Sequence, residues 1–245
     1  MKAHEFIVVM METSHPGNIG AAARAMKNMG MTQLRLVNCV NHRDTQAYNR
    51  SSGAEDILYQ ATCHKTLADA VQDCHHVIAT SGRQRTNQHP PTLCARKLPD
   101  YLSRIQKQSI IALVFGNEQN GLDNQAIQQS HCQISVPTNP KFKSLNVASC
   151  VQLICFLCSA YGRQLAPNDS CEKNSDHQPT MNKIDALINT ISSHAFEEAH
   201  GKAQHDIHKL RQLLFRLKPS EDETNFLHGM MRRLIKSGID EEPKP

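Results

Sequence analysis

The chain has 245 residues, of which 39% are hydrophobic and 20% charged, a composition typical of a soluble globular protein. Residues 1–165 carry 16 basic and 10 acidic side chains, whereas residues 166–245 carry 11 and 13, so the net charge of +6 on the first part suits a polyanionic partner, although metabolic enzymes can be equally basic. Because the chain lacks tryptophan, nucleic-acid binding mainly by aromatic stacking is disfavoured.

The sequence predicts no membrane or secretory segment. The longest apolar stretch, Val147 to Tyr161, is too short and too interrupted to span a bilayer. The N-terminus lacks the apolar core of a signal peptide. Nine irregularly spaced cysteines fit a reducing compartment, and we therefore expect a cytoplasmic protein.

Short apolar runs alternate with helical patterns along the first 165 residues. The predicted strands are Phe6–Met11, Leu34–Val37, His76–Thr80, Ile110–Phe115 and Gln133–Val136. The predicted helices are Asn18–Met29, Leu67–Asp73, Leu98–Gln106 and Asp123–Gln129. Strands that are apolar throughout and separated by helices indicate a parallel sheet covered on both faces. We predict an α/β domain over residues 1–165.

A helix predicted over residues 144–165 has apolar side chains around most of its circumference. They are Val147, Val151, Leu153, Ile154, Phe156 and Leu157. Such a helix should be buried on more than one side, and a second subunit is one way to bury it.

The remaining residues predict a linker and a small helical extension. Residues 166–178 are polar and patternless, and residues 179–245 contain three helical segments. Ser220 and Glu223 form a capping box at the start of the third segment. Basic side chains of the second segment either contact RNA phosphates or form a solvated face. They are Lys209, Arg211, Arg216 and Lys218.

Polar loops follow four of the predicted strands, where open α/β sheets bind their ligands. After the first strand, Asn18 and Arg24 flank small residues that allow close backbone approach; alternatively, Asn18 caps a helix and Arg24 is solvated. The second loop is Thr80-Ser81-Gly82-Arg83-Gln84-Arg85, whose hydroxyls, glycine and arginines could hold a small molecule and a phosphate backbone; taken alone, it is a polar surface loop. No dinucleotide-binding glycine fingerprint follows any strand.

The third and fourth loops contain a carboxylate and a hydroxyl. Glu118 lies two residues after Gly116, just beyond a buried strand. Taken alone, its carboxylate could merely stabilise the N-terminus of a helix. Ser144 lies in the loop from Val136 to Ala148 and could merely cap the following helix.

Three ordered elements resemble motifs of the SPOUT superfamily, in the branch of 2′-O-ribose RNA methyltransferases that includes TrmH. The elements are Asn18…Arg24, Gly116-Asn117-Glu118…Gly121-Leu122 and Pro137…Ser144-Leu145-Asn146-Val147-Ala148. Two stretches resemble the TrmJ-type tRNA enzymes nearly residue for residue. They are Thr13-Ser14-His15-Pro16-Gly17-Asn18 and Thr80-Ser81-Gly82-Arg83. The resemblance covers residues 5–165 and continues more weakly into residues 210–234.

This resemblance implies a SPOUT-type parallel sheet with a trefoil knot at the carboxyl end of the catalytic domain, a homodimer, and S-adenosylmethionine bound among three loops. The implied cofactor-binding residues are Thr80, Ser81, Gly82, Gly116, Val136, Lys143, Ser144 and Leu145.

The resemblance also implies the catalytic residues. Arg24 corresponds to the catalytic arginine, either as a general base, which is demanding for a guanidinium, or as a group that holds a phosphate and orients the hydroxyl. Asn18 is expected to orient Arg24 or the ribose. Glu118, Ser144 and Asn146 are expected to shape the surroundings of the hydroxyl.

We expect no metal. Cys155-x-x-Cys158 lies inside an apolar helix without the second ligand pair that a structural zinc site needs. His205 and His208 share a helix turn but have no third ligand at suitable spacing.

The resemblance therefore implies a tRNA (cytidine/uridine-2′-O-)-methyltransferase acting on the first position of the anticodon loop, nucleotide 32. The nearest alternative is the same chemistry on ribosomal RNA. A non-catalytic RNA-binding SPOUT protein would be expected to lack Arg24 or the Ser144/Asn146 pair. A nucleotide-binding metabolic enzyme is disfavoured by the missing glycine fingerprint.

Overall fold

The computed structural model describes residues 4–82, 90–142, 144–164, 178–195 and 203–239. The chain divides into two compact units after residue 171. Among the described residues, no helix is long and apolar enough to cross a membrane. The predicted linker, residues 166–178, lies outside the described residues apart from Gln178.

Seven parallel strands form the sheet of the first unit, in the order β3-β2-β1-β6-β4-β7-β5. They are β1 (Glu5–Met11), β2 (Gln33–Val37), β3 (Thr62–His64), β4 (His76–Thr80), β5 (Thr92–Cys94), β6 (Ile110–Phe115) and β7 (Cys132–Ser135). The predicted parallel α/β sheet is confirmed. Sequence patterns missed β3 and β5, because these edge strands have only three residues each and bury too little to show apolar periodicity.

Seven helices accompany this sheet in the described residues. They are α1 (Pro16–Asn28), α2 (Thr45–Ser51), α3 (Glu55–Gln60), α4 (Leu67–Val71), α5 (Leu98–Leu102), α6 (Asn124–Gln128) and α7 (Val147–Gln164). The short helices α2 and α3 were not predicted. Helix α1 packs so closely on α2 that a Cβ at Gly20 would lie 2.0 Å from the Ala47 carbonyl oxygen.

Helix α1 begins two residues earlier than predicted. Pro16 occupies the first turn, where its missing N–H costs nothing, and the His15 side chain accepts a hydrogen bond from the Gly17 amide at 3.1 Å. Asn18 is therefore inside the helix rather than at its N-cap, and its side-chain amide is available for other contacts.

Helix α7 is buried on one side within the chain. Val151, Ile154 and Cys158 are fully buried against the core. On the opposite side Leu153 is 43% exposed and Phe156 is 51% exposed. Within the first unit's described residues, the side of α7 that carries these two side chains is thus left partly uncovered.

The second unit contains α8 (Met181–Ala195), α9 (Ala203–Leu217) and α10 (Glu221–Ile239). The capping box is confirmed, since the Ser220 amide donates to Glu223 Oε2 at 2.7 Å and the Glu223 amide donates to Ser220 Oγ at 3.1 Å. Two ion pairs join α8 to its neighbours. They are Lys183–Glu221 and Arg211–Asp185.

Candidate active site

Four loops meet at the carboxyl edge of the sheet. They follow β1, β6, β4 and β7, which are adjacent in that order. Since parallel strands all end at the same edge, their following loops are neighbours in space although they are far apart in sequence. This explains how motifs separated by more than a hundred residues can build one site.

A cavity of about 310 Å³ opens between the loops after β4, β6 and β7, within the size range of small-molecule sites. Seven of the eight predicted cofactor-binding residues line it. They are Thr80, Ser81, Gly82, Gly116, Val136, Ser144 and Leu145. The eighth, Lys143, lies outside the described residues.

The loop after β6 is closed so tightly that only glycine fits at its first position. A Cβ at Gly116 would lie 2.2 Å from the Gly121 carbonyl carbon and 2.3 Å from the Leu122 amide nitrogen. Within the loop, Asn117 Oδ1 accepts hydrogen bonds from the amides of Gln119 at 3.1 Å and Asn120 at 2.6 Å. The loop forms a wall of the cavity.

Glu118 is held by three hydrogen bonds from the β1–α1 segment. Asn18 Nδ2 donates to Oε1 at 2.7 Å, and the Ser14 amide and hydroxyl donate to Oε2 at 3.2 Å and 3.0 Å. Burial alone would raise the pKa of this carboxyl, but the hydrogen bonds from Asn18 and Ser14 outweigh it and lower the pKa below its ordinary value. Glu118 is therefore an ionised acceptor at neutral pH.

The hydrogen bonds continue from Asn18 to the loop after β7. Asn146 Nδ2 donates to Asn18 Oδ1 at 3.1 Å, while Asn146 Oδ1 accepts from the Ala148 amide at 2.9 Å. Asn146, rather than Ser144, thus satisfies an amide at the start of α7. Three loops are joined through Glu118, Asn18 and Asn146.

The two other predicted catalytic residues are placed differently. Ser144 lines the cavity together with Glu118. Arg24 is exposed on α1 and forms no hydrogen bond or ion pair with any residue that the structure describes. Its guanidinium is free to meet a group from outside the chain.

Sequence reasoning missed Ser14 as a site residue, although it lies in a stretch that carries the resemblance. The sequence does show a hydroxyl just beyond the end of β1. It does not show which side chain that hydroxyl binds. The structure supplies that partner in Glu118, 104 residues away.

In the parts of the chain that the structure describes, no three His, Cys, Asp or Glu side chains are grouped to hold an ion. The Cys150 thiol lines the cavity, and burial raises its pKa to about 11, so it stays protonated at neutral pH.

Replacing Glu118 by glutamine should change the pH dependence of stability. The folded pKa of Glu118 lies below its ordinary value of 4.5, so its ionised form stabilises the fold above that pH, and this contribution is lost as the pH falls through the folded pKa. The difference in the free energy of unfolding between wild type and Glu118→Gln should be largest at neutral pH and shrink in acid. Urea unfolding across this pH range measures it; a difference independent of pH would contradict the lowered pKa.

The profile of the SpoU rRNA methylase family matches residues 5–156. A tRNA (cytidine/uridine-2′-O-)-methyltransferase TrmJ from Yersinia enterocolitica is 35% identical over 238 residues, covering 95% of this chain and 92% of the relative. The crystal structure of TrmJ from Z. mobilis ZM4 matches with a TM-score of 0.79 and 27% identity, covering 93% and 98% of the two chains. A probable methylase family protein from Haemophilus influenzae Rd KW20 matches with a TM-score of 0.62 and 35% identity, covering 96% and 97%.

Proposed function

Since the chain belongs to the SpoU rRNA methylase family, we propose that it is an S-adenosylmethionine-dependent methyltransferase acting on a ribose 2′-hydroxyl of tRNA. The observation that carries this proposal is the hydrogen-bonded set of Glu118, Asn18 and Asn146 beside a cavity of cofactor size. The choice of tRNA over ribosomal RNA is supported by the Yersinia relative, which the chain matches along 95% of its length.

The cavity residues suit S-adenosylmethionine. Gly82 has open space where a Cβ would lie, so a ligand can approach its backbone, while Leu145 and Val136 offer apolar surface. Ionised Glu118 in the cavity wall would attract the positively charged sulfonium of this cofactor. The cofactor supplies a methyl group already activated on a sulfonium.

The side chains around the cavity would orient the ribose. With Glu118 fixed by Ser14, the Asn18 amide cannot turn freely, and Asn146 is fixed at its other end by the start of α7. Fixed dipoles hold a reacting hydroxyl without reorganisation, which is how positioning accelerates a transfer. Ser144 adds a hydroxyl on the cavity wall.

We assign Arg24 to binding an RNA phosphate and orienting the ribose. Its exposure and its lack of a partner among the described residues suit a guanidinium whose counter-ion arrives with the substrate. Proton removal by a guanidinium would be much harder, because it keeps its proton at neutral pH.

The finer parts of the proposal extend the family likeness. The target is cytidine or uridine at nucleotide 32, the first position of the anticodon loop, and the enzyme works in the cytoplasm. The segment running from the loop after β6 into α7 would form the trefoil knot. The helical second unit would be the C-terminal extension of the TrmJ-type enzymes.

The proposed homodimer would bury the uncovered side of α7. Leu153 and Phe156 are 43% and 51% exposed there, and large apolar side chains of this kind favour an interface. Replacing Phe156 by glutamate should raise the dimer dissociation constant about thirtyfold or more, the effect of losing an interface residue worth about 2 kcal/mol. Sedimentation velocity measures this.

Tyr59→Glu is the matched control, because Tyr59 is a 62% exposed aromatic residue on α3. It should leave the dimer intact. A wild-type protein that sediments as a monomer, or equal weakening by both variants, would contradict the role of the α7 face.

The proposed reaction is tested with purified protein, methyl-labelled S-adenosylmethionine, and separate unmodified transcripts of tRNA and ribosomal RNA. Label on tRNA alone supports the proposal. Label on ribosomal RNA alone keeps the chemistry and overturns the substrate. Cofactor binding without label on either RNA would favour a binding protein over an enzyme.

A further inference from the structure

Glu12 has a backbone conformation that its residue type rarely adopts. It directly follows β1, and its φ of 52° lies in the left-handed region, where a residue other than glycine is uncommon. Its amide donates to the Val37 carbonyl at 2.8 Å. Its carboxylate accepts a hydrogen bond from Asn117 Nδ2 at 3.3 Å. An uncommon backbone conformation thus accompanies a side-chain contact to the cavity loop, and such outliers cluster where geometry serves function.

Asn117 organises the loop that Glu12 contacts. Its Oδ1 accepts from the amides of Gln119 and Asn120, and its carbonyl oxygen accepts from the Gly121 amide at 3.1 Å. An asparagine amide has an oxygen acceptor and a nitrogen donor. The loop amides bind the Asn117 side-chain oxygen, and the Glu12 carboxylate binds its nitrogen. Both polar atoms of the Asn117 side chain are therefore engaged, which fixes its orientation.

We propose that Glu12 is a positioning residue, which fixes the loop of residues 116–122 against the β1–α1 segment and so shapes the wall of the cofactor cavity. Ser14, two residues further along the same segment, holds Glu118 in that loop. The loop is therefore attached at two successive residues, Asn117 and Glu118. This inference rests on the proposed function, because it assigns S-adenosylmethionine to the cavity.

The first test removes the side chain and keeps the backbone. Glu12→Gly suits a φ of 52° and should raise the dissociation constant of S-adenosylmethionine about tenfold, as the loss of one hydrogen bond to a charged group implies. Because saturating cofactor compensates for weaker binding, kcat under that condition should change by less than about twofold. Asn38→Gly is the control, because Asn38 follows β2 with a φ of 50° and contacts no residue of the loop through its described hydrogen bonds. It should bind cofactor like wild type.

The second test reverses the polarity of the contact. Asn117→Asp keeps the oxygen that accepts from the loop amides but sets two carboxylates against each other, so cofactor affinity should fall about tenfold or more. Adding Glu12→Gln supplies an amide donor to the new carboxylate and should restore most of the affinity. Strictly additive effects of the two changes would overturn the proposal, since independent sites do not rescue each other.

Hydrogen exchange in the cofactor-free protein separates this inference from the proposed function. The amides of residues 119–121 should exchange faster in Glu12→Gly than in wild type and in Asn38→Gly. If exchange is faster in Glu12→Gly but the wild-type protein does not bind S-adenosylmethionine, the positioning role is upheld and the assignment of this cofactor to the cavity is overturned. Unchanged exchange together with unchanged cofactor affinity would overturn the positioning role.

Discussion

Replacing Arg24 by alanine is expected to lower kcat/KM for tRNA by about a hundredfold to a thousandfold, the range lost when a positioning group is removed. Stability and affinity for S-adenosylmethionine should not change. Arg24 is exposed and has no hydrogen bond or ion pair within the described chain, so its removal costs the fold nothing. It is not among the residues that line the cavity, so the cofactor does not depend on it. Steady-state methyl transfer, thermal unfolding and calorimetry measure the three quantities.

Lys27→Ala is the matched control for Arg24. Lys27 lies one turn further along α1, is also a basic exposed side chain, and pairs with Asp56 at 2.7 Å. An exposed pair of this kind contributes little to stability, and activity should stay near wild type. Equal loss of activity in both variants would mean that α1 contributes only diffuse positive charge, which contradicts a specific role for Arg24.

Replacing Gly116 by alanine is expected to abolish cofactor binding in the accessible concentration range. The new Cβ would lie 2.2 Å and 2.3 Å from backbone atoms of Gly121 and Leu122. Because these are backbone atoms, a change of side-chain rotamer cannot relieve the overlap. The loop must open, which displaces the cavity wall and should destabilise the first unit by about 1–3 kcal/mol. Calorimetric titration and urea unfolding measure both effects.

Gly229→Ala is the control for adding a methyl group. Apart from its chain neighbours and the helix's own backbone, no heavy atom lies within 4 Å of a Cβ built at Gly229, which lies inside α10. Alanine should stabilise that helix by about 0.5–1 kcal/mol and leave cofactor affinity unchanged. A Gly116→Ala protein that binds cofactor like wild type would show that the close approach is not part of the site.

The sequence predicted the sheet because its central strands are buried on both faces. Residues 7–10 and 111–115 are buried without a break, and such runs are recognisable from composition alone. The edge strands and the short helices α2 and α3 gave no comparable signal. Their positions depend on long-range contacts, such as the packing of Ala47 on Gly20, which no local pattern contains.

The resemblance predicted which loops meet, but not how their side chains are bonded. It indicated Asn18, Glu118 and Asn146 as site residues, and the structure joins these three directly. It did not indicate Ser14. The residue pattern alone left open that Asn18 is a helix cap. That alternative was wrong because His15 and Pro16 start α1 earlier. Hydrogen bonds between loops a hundred residues apart require the sheet order, which single-sequence patterns do not give.

The most direct test of the proposed function uses a tRNA that carries one 2′-deoxynucleotide at position 32, beside an all-ribose tRNA and one with a deoxynucleotide elsewhere in the anticodon loop. The acceptor oxygen is the only atom that differs. We expect methyl transfer to the all-ribose tRNA and to the control, and none to the tRNA lacking the hydroxyl at position 32. Undiminished transfer to that tRNA would contradict methylation of this ribose.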